Sequence, residues 1–485
     1  MTIQDIANSL IYNKKWHQDD LTYSFKSLRL PYELDEDYAG TKPVSQSMQT
    51  ATHKIFDYLE TILGLSFTYT TGTGDIVLSS KSMEDKTTLG YTYMPGGTTK
   101  SAAGDVYISS SFTDADFQVG GMGWSTIVHE LGHALGLNHP FGEGEYKGID
   151  INDTVMSYNP YLGYDVTNYY YETNSFTTFQ SADILALQSY YGKNTTQTDD
   201  FYNLNILLYS QKINGSYGYI EDNLYTIDDQ SGTNTISLKD LQGNHDQHLN
   251  LNPQTQSILI NNKVHHYLSL TPDTTIQNAI GSKADDTITL NNLNNTVDGL
   301  TGFDTINITN EGVTRIDQLA NKLIISNTKS GFDVLSNIDA TYINGSHINT
   351  DTYLRDTISY ENYEEAQELS RLYLSVFNRL ADKDGLNYWV DEYQNTHSIN
   401  SIANSFVISD EFTTLYGSTQ TNQEYINLLY QNILYRDADT NGLEYWEQNM
   451  QEGLTKADIL VSFSNSNEFI TLTSVYFEED MITIL

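Results

Sequence analysis

The sequence contains no cysteine among its 485 residues. This absence excludes disulfide bonds, zinc sites built from cysteine thiolates, and a thiol that could block a metal centre. Basic residues are also few, with 24 Lys and Arg against 63 Asp and Glu and a formal net charge of −39. A nucleic-acid-binding protein needs a basic surface, and an anionic membrane repels so acidic a chain. We therefore expect cations as its small partners, Ca²⁺ above all, because Ca²⁺ prefers oxygen ligands.

Long apolar runs are missing as well. No apolar stretch is long enough to span a bilayer, so the sequence predicts no membrane-spanning segment. The N-terminal residues MTIQDIANSLIYNKKWHQ hold no apolar run of the kind found in secretory signal peptides. If the protein is exported, we expect a route other than a cleaved N-terminal signal. The length of the chain suggests about three domains.

One segment, HELGHALGLNH at residues 129–139, concentrates three histidines and a glutamate. Apolar residues at helical spacing predict a helix from Ser125 to Leu137. Ser125 or Thr126 is the expected N-cap, and Gly136 can adopt the left-handed backbone that ends a helix.

On this helix His129 and His133 lie one turn apart, so both imidazoles can reach one metal ion. The turn at Gly136 can return His139 as a third nitrogen ligand, which leaves a coordination position for water, as in catalytic zinc sites. Glu130 is placed to act as the general base for that water. Two rival interpretations are a histidine-rich core helix and a degenerate, inactive zinc site.

The segment resembles the metzincin metalloprotease motif H-E-x-x-H-x-x-G-x-x-H, which a methionine turn follows. NDTVMSYN at residues 152–159 is similar to that turn. The resemblance implies that Met156 forms the apolar floor beneath the metal. Tyr158 matches the serralysin subfamily, in which a tyrosine at this place can bind zinc and support the oxyanion.

The resemblance to serralysins extends over residues 1–195, for which it implies an α+β metzincin catalytic domain. LTYSF at residues 21–25 is similar to the first strand of that domain, and DIVLSS and GDVYISS read as further strands. We expect the second of these, GDVYISS, to be the edge strand that pairs with substrate. FTTFQSADILALQSYYG at residues 176–192 resembles the helix that closes the domain.

Residues 196–350 carry a nine-residue rhythm that predicts an all-β domain. The rhythm repeats a polar residue (Asp286, Asn295, Asp304) and an apolar residue (Ile288, Val297, Ile306). This pattern resembles degenerate RTX nonapeptides, which implies a parallel β-roll or solenoid with Ca²⁺ held at its turns.

Three aspartates of this region, Asp229, Asp286 and Asp304, are the candidate calcium ligands. Asp229 is carried over from a resemblance of IDDQSGTNTISL, residues 227–238, to the start of the serralysin β-roll domain. The alternative is a calcium-free solenoid in which Asp and Asn serve as ordinary turn residues.

Residues 351–485 predict an all-α domain with two 57-residue repeats, since YLSVFNRLADKDGLNYW is repeated as YQNILYRDADTNGLEYW. The repeats resemble a helical domain family of unknown function that follows RTX repeats in exported bacterial proteins. DADTNG mimics the start of an EF-hand loop, but we expect a helix-capping turn there. The terminal FEEDMITIL resembles the export signal of type I secreted proteases; a frayed helix is the alternative.

The sequence thus predicts a multidomain protein that acts as a secreted zinc-dependent endopeptidase, with Glu130-assisted attack of zinc-bound water on peptide bonds. We expect protein or peptide substrates, Zn²⁺ and Ca²⁺ as cofactors, a monomer, and an extracellular or cell-surface location reached by a type I system. The alternative is a surface or S-layer-associated binding or adhesion protein with a weakly active or inactive metzincin domain. A cell-surface or S-layer protein is a further expected partner, bound through the C-terminal domain.

Overall fold

The computed structural model describes residues 1–26, 30, 35–96, 102–141, 148–158, 175–196, 198–204, 222–261, 264–309, 312–327, 331–417, 420–478 and 480–485. The chain divides into two compact units. The first unit comprises Met1–Ile276 and Ser282–Asp286, and the second comprises Gln277–Gly281 and Thr287–Leu485. The division predicted from the sequence, with boundaries after residues 195 and 350, stays a prediction.

The helices, in chain order, are α1 Ile3–Ser9, α2 Asp35–Tyr38, α3 Gln46–Ile62, α4 Met122–Ala134, α5 Ser181–Tyr191, α6 Tyr363–Phe377, α7 Lys383–Thr396, α8 Ile399–Val407, α9 Asp410–Tyr416, α10 Asn422–Ile433, α11 Thr440–Gln451, α12 Lys456–Ser464 and α13 Asn467–Thr473. Short 3₁₀ helices span Asp114–Phe117, Thr350–Tyr353 and Ser474–Tyr476. Within the part of the chain that the structure describes, no helix combines the length and the apolarity needed to cross a membrane.

The strands are β1 Asp20–Phe25, β2 Thr41–Lys42, β3 Ser66–Tyr69, β4 Ile76–Lys81, β5 Gly90–Thr92, β6 Asp105–Ser109, β7 Ser175–Phe176, β8 Phe201–Asn203, β9 Asp222–Ile227, β10 Thr235–Ser237, β11 Gln247–Asn250, β12 Gln256–Asn261, β13 Val264–Leu270, β14 Asn278–Ile280, β15 Asp286–Thr289, β16 Thr296–Asp298, β17 Thr305–Ile308, β18 Val313–Leu319, β19 Lys322–Asn327, β20 Gly331–Ser336, β21 Ala340–Ile343, β22 Ser346–His347, β23 Asp356–Ser359 and β24 Met481–Ile484. The mixture of helices and large sheets agrees with the predicted multidomain α+β class.

The first sheet has the order β3-β1-β4-β6-β5, with β2 beside β4. Strands β1, β3, β4 and β6 are mutually parallel, whereas β5 runs antiparallel to β6. The expectation that GDVYISS forms the edge strand is therefore wrong. Its strand β6 is covered on both sides, and the three-residue β5 lies outside it at the edge of the described sheet. Every residue of β4 and β6 is buried, as expected of strands in the middle of a sheet.

Helices α3 and α4 pack with the apolar residues of this sheet in one core. Helix α4 begins at Met122 with Gly121 as its N-cap, so the expected start at Ser125 is wrong by about one turn. The reason is that the Ser125 and Thr126 hydroxyls donate instead to the carbonyls of Phe176 and Met122. Gly136 adopts a φ of +99°, in agreement with the predicted helix end.

The remaining strands of the first unit lie in the middle of the chain. Strand β8 pairs parallel with β10. A second group has the order β11-β12-β13-β9-β7. In that group β12 is antiparallel to β11 and β13, while β9 is parallel to β13 and β7.

Strands of the second unit pair in parallel at a register of two nonapeptides. Ala279 of β14 lies opposite Val297 of β16, and Ile288 of β15 lies opposite Ile306 of β17. Consecutive nonapeptides therefore place their strands in different pairs, β14 with β16 and β15 with β17. Ile288, Val297 and Ile306 are buried, as their spacing predicts.

The helices after residue 360 form two consecutive sets, α6–α9 and α10–α13, that repeat the same details. Asp382 caps α7 by accepting from the Gly385 N–H, and Asp439 caps α11 by accepting from the Gly442 N–H. The predicted helix-capping role of the DADTNG segment is thus confirmed. Both sets pack in one core with residues of β19 and β20.

The last residues form a strand and not a frayed helix. Strand β24 pairs antiparallel with β23, with Asp356 opposite Ile484. Ile482 and Ile484 are buried in the core of the second unit, which gives this short strand an apolar anchor.

Candidate metal centre

Three imidazoles converge where α4 ends. His129, His133 and His139 each offer a ligand atom, and these atoms lie within 4.8 Å of one another. The Nδ1 atoms of His129 and His133 lie 2.7 Å and 2.8 Å from the carbonyl oxygens of Val155 and Leu137. Each Nδ1–H thus donates to a carbonyl, which leaves the Nε2 lone pair as the ligand atom.

Burial keeps His129 and His133 neutral. It lowers the pKa of His129 to about 4 and that of His133 to about 3, although the hydrogen bonds to carbonyl oxygens raise both values. Nε2 of His133 lies 3.2 Å from Nε2 of His139, close enough for both nitrogens to reach one ion. Three imidazole nitrogens are a donor set that fits Zn²⁺ and leaves an open position.

Met156 lies fully buried beneath α4, where Gly132 leaves room for it. A Cβ at Gly132 would lie 2.7 Å from Sδ of Met156, closer than a side chain tolerates. The glycine in the middle of the motif therefore lets the methionine approach the helix that carries His129 and His133.

Asp183 of α5 holds the turn before Met156, and sequence reasoning did not find it. Its carboxylate accepts hydrogen bonds from the Thr154 hydroxyl and from the N–H groups of Val155 and Gln180. Burial raises the pKa of Asp183 to about 7, against the effect of these three donors. The carbonyl oxygen of the same residue, Val155, accepts a hydrogen bond from Nδ1–H of His129. Asp183 therefore orients the His129 imidazole indirectly, through Val155. Its only local signal is the capping position at the start of α5.

Glu130 lies beside the histidines and is 5% exposed. Burial raises the pKa of Glu130 to about 7, which is the range suited to a general base near neutral pH, while the hydrogen bond from Thr92 lowers it. Oγ1 of Thr92 lies 2.6 Å from Oε2 of Glu130. Thr92 belongs to β5, which is too short to show a strand pattern by which it could be found.

Tyr158 stands at the mouth of the site. Its ring centroid lies 4.4 Å from that of His139 and 5.6 Å from that of His129. The side chain is 74% exposed. Asn159, the last residue of the quoted turn, lies outside the described residues. The structure thus brings Tyr158 to the histidines, and its role as ligand or oxyanion donor stays a prediction.

The candidate calcium ligands lie apart from this centre. Asp229 accepts from the Tyr202 hydroxyl, and Asp286 accepts from the Ser282 hydroxyl. Asp304 is buried at the start of β17. Among the described residues only the histidines form a group of three or more metal-ligating His, Asp or Glu side chains. The calcium assignment stays a prediction.

Known proteins resemble the chain in two regions. Serralysin of Photorhabdus sp. (strain Az29) is 27% identical over 300 residues, which cover 56% of this chain and 60% of the relative. Serralysin of Photorhabdus laumondii is 28% identical over 326 residues, 60% of this chain and 64% of the relative. Metalloprotease AprA of Pseudomonas entomophila is 29% identical over 197 residues, 36% of this chain and 38% of the relative.

The predicted resemblance to serralysin-type metzincins is confirmed. The matched stretch covers less than two thirds of the length of each of these serralysin-like relatives. Residues 403–473 match a different family, described as a domain of unknown function (DUF4214). That match falls within the predicted repeats of the helical tail.

Proposed function

We propose that the protein is a zinc-dependent endopeptidase of serralysin type. The observation that carries the proposal is the convergence of three imidazoles beside a buried glutamate. Zn²⁺ held by His129, His133 and His139 would polarise a scissile carbonyl and lower the pKa of a water molecule.

Residues of the chain transfer the proton, stabilise the developing charge and orient the metal ligands. Glu130 accepts a proton from the attacking water and passes it to the leaving amine. Tyr158 donates a hydrogen bond to the oxygen on which negative charge develops. The carbonyls of Val155 and Leu137 hold His129 and His133 in the tautomer that binds metal.

The edge strand β5 gives the proposed substrate a place to bind. Leu89 and Tyr93 bond to β6 through their main chains. Because bonding alternates along an antiparallel pair, Gly90 and Thr92 turn their main-chain groups away from β6. No described strand pairs with β5 on that side. An extended peptide can add there as a further strand.

The test is Glu130→Gln, which keeps the size of the side chain and removes the base. We expect unchanged zinc content and folding, with a loss of at least about 100-fold in the rate of casein cleavage. Elemental analysis and circular dichroism supply the controls. If the variant cleaves casein at a near-normal rate, Glu130 is not the base.

We further propose that the protein acts outside the cell after export by a type I system, which the resemblance to serralysins supports. Comparing culture medium from hosts with and without such an exporter tests this, and equal amounts in both would contradict it. We also propose that the helical tail binds a cell-surface partner, for which deletion of residues 351–485 followed by a cell-binding assay is the test.

We propose finally that the middle strands form a degenerate RTX β-roll with bound Ca²⁺. The eighteen-residue register of the parallel pairs supports the β-roll. The fit to Ca²⁺ differs between positions. Near Asp229 the Asn234 amide donates to the carbonyls of Ser231 and Thr275, which opposes a cation there. Asp286 and Asp304 are buried carboxylates, and a cation beside them would offset part of the cost of that burial.

A further inference from the structure

The short strand β5 contacts Glu130 through two of its three residues. Side chains alternate along a strand, so Gly90 and Thr92 face α4 while Tyr91 faces away. Oγ1 of Thr92 lies 2.6 Å from Oε2 of Glu130 and 3.1 Å from its carbonyl oxygen. A hydroxyl has one proton to donate, and the closer, charged carboxylate is the stronger acceptor.

Gly90 provides the space that this arrangement needs. A Cβ at Gly90 would lie 2.8 Å from both Cγ and Oε1 of Glu130. The glutamate side chain therefore lies flat against the backbone of β5. One carboxylate oxygen, Oε2, is held by Thr92, and the other, Oε1, lies beside Gly90, which has no side chain to cover it.

The opposite face of β5 is fixed by packing. The Tyr91 ring stacks on Tyr107 of β6 with a centroid distance of 4.7 Å and an interplanar angle of 13°. The Tyr91 hydroxyl donates to Asp37 at 2.9 Å and accepts from Lys81 at 2.8 Å. A strand anchored in this way is a firm support for the Thr92 hydroxyl.

We propose that Thr92 is a positioning residue that fixes the orientation of the Glu130 carboxylate and ties the base to the substrate-binding edge of the sheet. The inference rests on the proposed endopeptidase function. With Oε2 held, Oε1 is the oxygen that takes the proton from water. The main chain of Thr92 faces the peptide while its side chain holds the base, so one residue aligns both.

Steady-state kinetics on a fluorogenic peptide tests this with Thr92→Val, which keeps the shape and removes the hydroxyl. We expect kcat to fall about 10-fold to 100-fold with KM nearly unchanged, because a slightly misplaced base costs rate and not binding. Thr92→Ser restores the hydroxyl and should stay within about 3-fold of wild type, the scatter expected of such comparisons. Thr88→Val, the same substitution two residues before β5, should match wild type.

Two kinetic outcomes overturn the proposal. A Thr92→Val enzyme with wild-type kcat shows that the hydrogen bond is irrelevant to the rate. A Thr92→Ser enzyme as slow as Thr92→Val shows that the methyl group, and therefore packing, is what matters. Thermal unfolding and zinc content of each variant separate loss of fold from loss of alignment.

Crystal structures of the wild type and both Thr92 variants give a readout that needs no activity. We expect the Glu130 carboxylate to keep its place with Ser at position 92 and to leave it with Val. An unmoved carboxylate in Thr92→Val overturns the proposal. If wild type and Glu130→Gln are equally inactive, the endopeptidase function fails while these structures still decide the position of Glu130.

Gly90→Ala supplies a second variant on the same contact. The added methyl group overlaps Cγ and Oε1 of Glu130, so the side chain must rotate away from Thr92. We expect a loss of kcat comparable to that of Thr92→Val and a displaced carboxylate in the crystal. Wild-type kcat in a folded Gly90→Ala protein would contradict the close contact on which the proposal depends.

Discussion

Tyr158 differs from the other site residues in being mostly exposed, and its hydroxyl has two proposed roles, as zinc ligand and as oxyanion donor. Tyr158→Phe keeps the ring and removes the hydroxyl. If the hydroxyl supports the oxyanion, kcat and kcat/KM should fall together by about 10-fold to 1,000-fold, the scale of losing one such donor. Zinc should still bind, because three imidazoles and a water complete four-coordination.

Kinetics on a short fluorogenic peptide checks this expectation. A hydroxyl that is only a resting-state ligand predicts the reverse, with kcat unchanged or higher in the variant. In that case the turn would contribute Met156 alone to the site.

The buried histidines make the stability of the zinc-free protein depend on pH. Burial places the pKa of His129 at about 4 and that of His133 at about 3, below the ordinary value of 6.5. As pH falls below 6.5, these imidazoles bind protons in the unfolded chain but stay neutral in the folded chain. The two imidazoles should therefore lower the free energy of unfolding as pH falls, by about 1 kcal/mol per pH unit each, until the folded-state pKa values are reached. Glu130 and Asp183 oppose this trend, because burial raises the pKa of each to about 7.

Urea unfolding with a zinc chelator present, between pH 7 and pH 5, measures this slope. The control is a variant with both His129 and His133 replaced by Asn, whose slope should lack the contribution of the two imidazoles. Equal slopes in the two proteins would mean that the imidazoles are not buried in their neutral form.

Among the site residues, the sequence predicted those that are close together in the chain and missed those that only the fold brings together. His129, His133 and Glu130 lie within one helical turn, so a motif is enough to find them. Thr92 precedes Glu130 by 38 residues and Asp183 follows it by 53. Their contacts with the site depend on the order of strands and on the packing of α5, which no local pattern shows.

Among the secondary-structure elements, the main error of the sequence prediction was the choice of the edge strand. The apolar pattern of GDVYISS predicts a strand, but such a pattern does not say which strand lies next to it. Strand β5 has only three residues, one of them a glycine, and so gives no strand signal of its own. Helix α4 was predicted to begin one turn too late because Ser125 and Thr126 are good caps whose hydroxyls bond elsewhere in this fold.

The turns between strands β14 and β17 are the predicted sites of Ca²⁺ binding. If Ca²⁺ binds there, its removal should loosen residues 281–307 before the zinc-binding region, because a ligand of the native state stabilises it by mass action. Hydrogen exchange at micromolar and millimolar calcium measures the difference. Residues 76–81 of β4 serve as an internal reference. Unchanged exchange in residues 281–307 would favour the calcium-free solenoid, with Asp and Asn as ordinary turn residues.

In the second unit as a whole, strands and helices share one buried ion-pair network. Asp317 of β18 accepts from Nε of Arg355 at 2.7 Å and lies 2.9 Å from Nε of Arg315. The same carboxylate accepts from the Tyr476 hydroxyl, and Arg315 also donates to Asn378. The helical tail is therefore held to the strands by charges removed from water.

Asp317→Asn should destabilise this unit by about 3–5 kcal/mol, because it leaves buried Arg315 and partly buried Arg355 without their carboxylate. The matched control is Glu411→Gln, which breaks the half-exposed pair with Arg379 and should cost less than about 1 kcal/mol. Denaturant unfolding followed by tryptophan fluorescence, with peptide cleavage measured in parallel, checks both. If the two variants unfold at the same denaturant concentration, the ion-pair network does not hold the helical tail to the strands.

Strand β24 gives the second unit a mechanical property. It pairs antiparallel with β23, so that Asp356 faces Ile484 and Ser359 faces Met481. The chain enters β23 and leaves β24 at the same end of this ladder. Tension applied between residues 355 and 485 therefore separates one backbone pair after another, as in an opening zipper, and never loads all the pairs in shear. A protein machine that pulls on the chain at residue 485 would meet the low resistance of a ladder that opens one pair at a time.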